Sequence, residues 1–260
     1  MTGTVPALSI AFMILALMIS IALPLGLCTY FYRVKKADLL PFFVGCGVMI
    51  LFAFILESFV HRLVLGSAVG RRIQENIWLY GLYGGAMAGL FEETGRFLAF
   101  KTLLRKKMDK KANALMYGAG HGGVEALVLL GITSVNNLIY SLLINTGHTA
   151  VLTAPLSGDM LARVEKAIGL LITTPSWQFL LGSLERVLAV TLQIALSVLV
   201  WFAVKRKDRR HLYPVAVLIH LAVDASAAIL SNLGVSAILI ELMIAAFVAV
   251  AVSLAKKIYN

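Results

Sequence analysis

Seven apolar runs, each long enough to cross a bilayer, occupy most of the chain and leave little room for any other kind of fold. They cover roughly residues 5–32, 39–60, 77–100, 112–132, 177–204, 212–232 and 234–255 of the 260. A hydrocarbon core about 30 Å thick needs about 20 consecutive apolar residues in a helix, and a helix satisfies its own backbone in lipid. The pattern predicts an all-α, polytopic transmembrane bundle of about seven spans. Residues 132–143 either prolong the fourth span or form a short eighth element. A mean hydropathy of +0.90 excludes a sizeable soluble domain, so residues 1–260 read as a single integral-membrane domain of the cell membrane. The first run lacks a basic leader and is too long for a cleaved signal, which makes it a retained helix.

The net charge of +10 would suit a nucleic-acid binder if the chain were soluble. Here the basic residues fall between spans, and no nucleic-acid role is expected. Sixteen of the 23 lie in connections on one side: Arg33, Lys35 and Lys36; Lys101 to Lys111; Lys205 to Arg210; Lys256 and Lys257. The alternate connections hold five: Arg62, Arg71, Arg72, Arg163 and Lys166. The positive-inside rule then places the N-terminus outside and the C-terminus in the cytoplasm. Between Ser157 and Leu171, Met160, Leu161, Val164, Ile168 and Leu171 form one helical stripe opposite Asp159, Arg163 and Lys166. That spacing predicts a short amphipathic helix on the outer surface. Cys28 and Cys46 sit in apolar surroundings without CxxC spacing, which argues for neither a disulfide framework nor a thiolate metal site.

Seven of the 13 acidic residues fall inside the proposed spans: Glu57, Glu92, Glu93, Glu125, Glu185, Asp224 and Glu241. Charge at such a depth is costly and tends to mark function. Counting from the inner span ends, Glu92, Glu93, His121 and His220 all lie about 10–15 Å below the cytoplasmic edge at about 1.5 Å per residue. Three helices thus carry catalytic-type groups to one level, with a catalytic core over about residues 77–232. Residues four apart share a helix face, which pairs Glu92 with Arg96, His121 with Glu125, and His220 with Asp224. Adjacent Glu92 and Glu93 point about 100° apart, so one can face a cavity while the other orients a neighbour. A carboxylate that takes a proton from water, beside imidazoles that stabilise an oxyanion, suffices for peptide hydrolysis. Gly81, Gly85 and Gly89 form a small-residue ridge on the third span, and Gly118, Gly122 and Gly123 surround His121 on the fourth, the pattern of close helix packing in membranes.

Glu-Glu-x-x-x-Arg on one helix, Gly-His-Gly-Gly-x-Glu on the next and His-x-x-x-Asp on a later one resemble the glutamic intramembrane protease superfamily, which includes the CAAX-prenyl endopeptidases, the bacteriocin-processing or immunity proteins and the PrsW proteases. Within it the chain most resembles the YhfC family of membrane peptidases. The resemblance implies a protease acting on membrane peptides or proteins. Glu92 or Glu93 would activate water, His121 would help hold it, and His220 and Asp224 would position the water or bind the oxyanion. Arg96, Glu125 and Glu185 would support them. Two positions depart from the relatives: the prenyl endopeptidases carry Asn where this chain has Asp224, and PrsW proteases carry Phe where it has His121.

No cofactor is required by this reading. The alternative within proteolysis is a zinc site built from Glu92, His121, Glu125 and His220, since neutral imidazoles and carboxylates suit that ion, although HExxH is absent. Outside proteolysis, buried acids and histidines also serve proton-coupled transporters, and the same cavity could bind a peptide without cutting it, as in a scaffold or immunity protein. Arg186 reads as a structural ion-pair partner for Glu57, and Gln193 as an interhelical hydrogen bond.

Overall fold

The computed structural model describes residues 3–260, and its elements are helices joined by short turns. We number them α1 (Ala7–Arg33), α2 (Leu40–Leu65), α3 (Ala68–Glu75), α4 (Ile77–Lys101), α5 (Ala112–Asn145), α6 (Ala150–Thr153), α7 (Gly158–Thr173), α8 (Trp177–Lys205), α9 (Leu212–Asn232) and α10 (Ala237–Tyr259). Among the described residues, six of these are long and apolar enough to cross a membrane: α1, α2, α5, α8, α9 and α10. The expected seventh span, α4, has 25 residues and so also has the length, but Glu92, Glu93 and Arg96 lower its hydropathy. Residues 132–143 do not form an eighth element; they prolong α5, which runs for 34 residues.

Local chemistry sets the helix ends. Asn76 has extended backbone and its side chain accepts from the amides of Trp78 and Leu79, capping α4. Ser67 does the same for α3 through Gly70. Pro41 sits in the first turn of α2, where its missing N–H costs no hydrogen bond. Two spans change pitch along their length. Ile50–Glu57 in α2 and Leu127–Ile132 in α5 are π-helical, a wider winding that often adjoins functional sites. The first ends on Glu57, and the second begins two residues after Glu125.

The chain divides into two compact units. One runs to Leu23 and from Ala126 to Arg186. Its core holds Val5, Met13, Ile144, Ile168 and Leu171, and Asn145 closes it by bonding both the amide and the carbonyl of Val5. The expected amphipathic helix is α7, which buries Ile168 and Leu171 in that core. The other unit runs from Pro24 to Glu125 and from Val187 to Asn260. Its core is built on Phe100, Leu104, Tyr117, Leu196, Leu199, Val200 and Trp201, with the Phe100 ring edge-on to both Tyr117 and Trp201.

Glycines let the helices of this second unit approach to backbone contact. A methyl group on Gly85 would lie 2.6 Å from the Leu221 carbonyl oxygen, so the α4 ridge is seated on α9. Around His121, one on Gly118 would lie 2.6 Å from Ile194 Cα of α8, and one on Gly120 would lie 2.0 Å from the Phe42 carbonyl of α2. The two small-residue patterns thus serve different neighbours, and together they press α4, α5, α8 and α9 around one point.

Candidate functional site

That point is Glu92. It is buried, and its carboxylate gathers groups from three other helices. Oε2 lies 2.9 Å from His121 Nε2 of α5 and accepts a hydrogen bond from Gln193 Nε2 of α8 at 2.9 Å. Oε1 faces His220 Nε2 of α9 at 3.9 Å. The His121 ring is held flat by stacking on Tyr117, one turn earlier on α5, with centroids 5.8 Å apart. Its Nδ1 is buried without a hydrogen-bond partner among the described residues.

Glu93 is turned to a different set of partners. It is fully buried, its Oε1 is 2.9 Å from His220 Nδ1, and both its oxygens accept from Arg96. The spacing argument paired Arg96 with Glu92 four residues away. The guanidinium instead bonds Glu93, three residues away, because Glu92 points to the α5 and α8 side of the helix; positions three and four apart are both neighbours on a helix. A second Arg96 nitrogen donates to Gln193 Oε1. A buried ion pair repays its desolvation only when the remaining donors and acceptors are also bonded; Gln193 meets part of that need, and Arg96 Nε is buried without a hydrogen-bond partner among the described residues.

The remaining candidates are placed as follows. Asp224 Oδ2 is 3.5 Å from His220 Nε2, and its side chain is 40% exposed, the open edge of an otherwise closed cluster. Glu125 accepts from the same Gln193 nitrogen that bonds Glu92, at 2.9 Å. Glu185 belongs to the other unit, where Arg186 donates to it. Glu57, for which Arg186 was one expected partner, is 3.1 Å from His61 Nε2.

Two features count for more than the sequence reading gave them. Gln193, expected as an interhelical hydrogen bond, joins three charged residues. Gln193 is central, yet a neutral amide carries no charge to draw notice; its position in the middle of an apolar span was the available signal. Glu57 and His61 are four residues apart, the spacing used for the other pairs, and that was the available signal.

The donor types suit a divalent metal such as zinc. Two imidazole Nε2 atoms face one carboxylate, and His220 is anchored from behind by Glu93, the outer-shell support that metal-bound histidines commonly have. In the arrangement described, however, no group of three or more His, Cys, Asp or Glu among the described residues is disposed to hold an ion; His121 and Glu92 are within hydrogen-bond reach of each other.

Comparison with known proteins accords with this architecture. The chain is 35% identical over 249 residues, covering 94% of each sequence, to a protein of Bacillus subtilis (strain 168) described as the uncharacterized membrane protein YhfC. No solved structure matches it. The sequence model for the YhfC intramembrane metalloprotease family matches residues 19–248. With that match across most of its length, and with its apolar helices and buried acidic cluster, the chain is a multi-pass membrane protein that belongs to the YhfC intramembrane metalloprotease family.

Proposed function

We propose that this protein hydrolyses peptide bonds of membrane-associated substrates, and that Glu92 activates the attacking water. The observation that carries the reading is the facing of Glu92 Oε1 and His220 Nε2 at 3.9 Å, with Asp224 Oδ2 3.5 Å from the same nitrogen. With Nδ1–H donating to Glu93, His220 turns Nε2 towards two carboxylates, and the imidazole between them makes a place for a bridging water and a donor for a developing oxyanion.

In the reaction, Glu92 takes a proton from that water as its oxygen adds to the substrate carbonyl carbon. The C–N bond then breaks, and the leaving nitrogen receives the proton held by Glu92. Glu92 is favoured over Glu93 because Arg96 and His220 already occupy Glu93. His121 and Gln193 fix the second oxygen of Glu92, and His220 with Asp224 positions the water and the developing oxyanion. Water activation by a glutamate is the chemistry of the glutamic intramembrane proteases, which the sequence motifs resemble. The positive-inside distribution puts the cluster in the cytoplasmic half of the bilayer.

A second reading is favoured by the family description and by the Glu93–His220 contact. In it, Glu92, His121, Glu125 and His220 would hold a divalent metal. A bound metal would polarise the scissile carbonyl and make its water a stronger nucleophile. The test is cleavage of a quenched fluorescent transmembrane peptide by purified protein, Glu92→Gln and His121→Ala, with metal content measured on the same samples. Glu92→Gln is expected to lose cleavage while melting like the parent. Undiminished turnover in that variant overturns the proposal.

A further inference from the structure

Beside the buried cluster, on the side of the amino-terminal turns of α4, lies a cavity of about 350 Å³ lined by His61, Tyr80, Tyr83, Gly84, Asp224 and Ala228 among others. It touches the cluster through Asp224. Two of its lining residues, His61 and Tyr83, belong to a chain that the proposed reaction does not use: Glu57 Oε1 is 3.1 Å from His61 Nε2, and His61 Nδ1 is 2.9 Å from the Tyr83 hydroxyl. With the Nε2–H donating to Glu57, the Nδ1 lone pair accepts the Tyr83 proton. The Tyr83 oxygen is then left with lone pairs to offer.

We propose that this cavity is the peptide-binding site, and that it takes the substrate as an unwound segment whose backbone N–H groups are accepted by Tyr83 and Asp224. The inference rests on the proteolytic reading above. A transmembrane helix bonds its own amides, and once unwound in lipid those amides need acceptors. Two oxygens set along the wall supply them. A lipid acyl chain has no donors to offer such groups, so the chemistry selects peptide. Gly84 forms open floor: a methyl group there would meet no heavy atom within 4 Å, which leaves space for a backbone to lie close.

That open space also provides the test. Gly84→Leu fills the cavity without displacing the fold. Gly47→Leu is the control, since Gly47 is equally unobstructed and lines a different groove of about 330 Å³. The probe is a fluorescent Leu/Ala peptide of about 20 residues with a central Gly-Ser-Gly break, followed by anisotropy in detergent on the Glu92→Gln protein. In that background Gly84→Leu is expected to weaken binding by at least about tenfold, and Tyr83→Phe by about threefold to tenfold, the loss of one hydrogen bond. Gly47→Leu is expected to bind as the background does. Equal binding by the Gly84→Leu and Gly47→Leu proteins, or preference for an unbroken helix of the same length, overturns the proposal. Binding that the plug abolishes, without product from the intact protein, leaves the peptide site standing and removes the protease.

Discussion

Gln193 donates through Nε2 to Glu92 Oε2 across 2.9 Å, and its carbonyl oxygen accepts from Arg96. One amide therefore bridges the acid proposed to activate water and the cation that neutralises Glu93. Hydrogen bonds to charged groups are worth about 1.5–3 kcal/mol, so Gln193→Met should lower unfolding stability by at least that much and reduce cleavage as well. Thermal melts in detergent beside peptide cleavage measure both. A variant as stable as the parent would show that the amide is dispensable to the buried pair.

The two adjacent glutamates should fail differently. Glu92→Gln is expected to cost about 10²- to 10⁴-fold in kcat, the usual worth of a general base, with little change in melting. Glu93→Gln leaves Arg96 buried without its counter-charge, a loss of about 3–5 kcal/mol, and is expected to appear first as reduced folded yield. Identical melting curves for the two variants would contradict this division of labour.

Metal removal separates the two chemical readings. If water is activated by Glu92 alone, dialysis against EDTA or 1,10-phenanthroline leaves cleavage unchanged, and this is the expected outcome. Loss of activity on chelation, restored by zinc and accompanied by one metal per chain that His121→Ala cannot retain, would transfer the chemistry to the second reading.

Away from the membrane core, Asp38 joins the α1–α2 turn to the α4–α5 connection. Lys110 lies 2.7 Å from it and Lys107 3.2 Å. Chiefly the Lys110 hydrogen bond, helped by Lys107 and Asn113, holds its carboxyl down at about 2. A depressed folded value stabilises above the ordinary unfolded value of about 3.9, and that contribution disappears as pH falls from there through about 2. Asp38→Asn should flatten this part of the acid limb in melts at stepped pH. High salt should do much the same in the parent, because the pair is partly exposed and screened.

Apart from the far ends of α2 and α5, the span boundaries were legible to within a few residues because hydropathy and the 20-residue requirement act on each helix by itself. The shared depth of Glu92, His121 and His220 could be read in the same way, by counting from charged connections. Partner choice could not. Spacing alone does not tell whether Arg96 turns to the residue three or four positions back, since that depends on what α5 and α8 offer Glu92. Nor did the glycine pattern on α4 name its neighbour, which is α9. Gln193 was legible only as an interhelical hydrogen bond, and the Glu57–His61–Tyr83 chain escaped, because an uncharged amide and a lone histidine gain meaning only from what packs against them.

The π-helical winding of α2 from Ile50 to Glu57 has a consequence for how such a protein can change. Each residue in a helix turns the chain by about 100°, so deleting one residue within this stretch would swing Glu57 and His61 away from Tyr83. The part of α2 before the deletion, including the Phe42 contact beside His121, would keep its register. Specificity could then drift by insertion or deletion in one stretch of α2 while the proposed hydrolytic centre stays fixed.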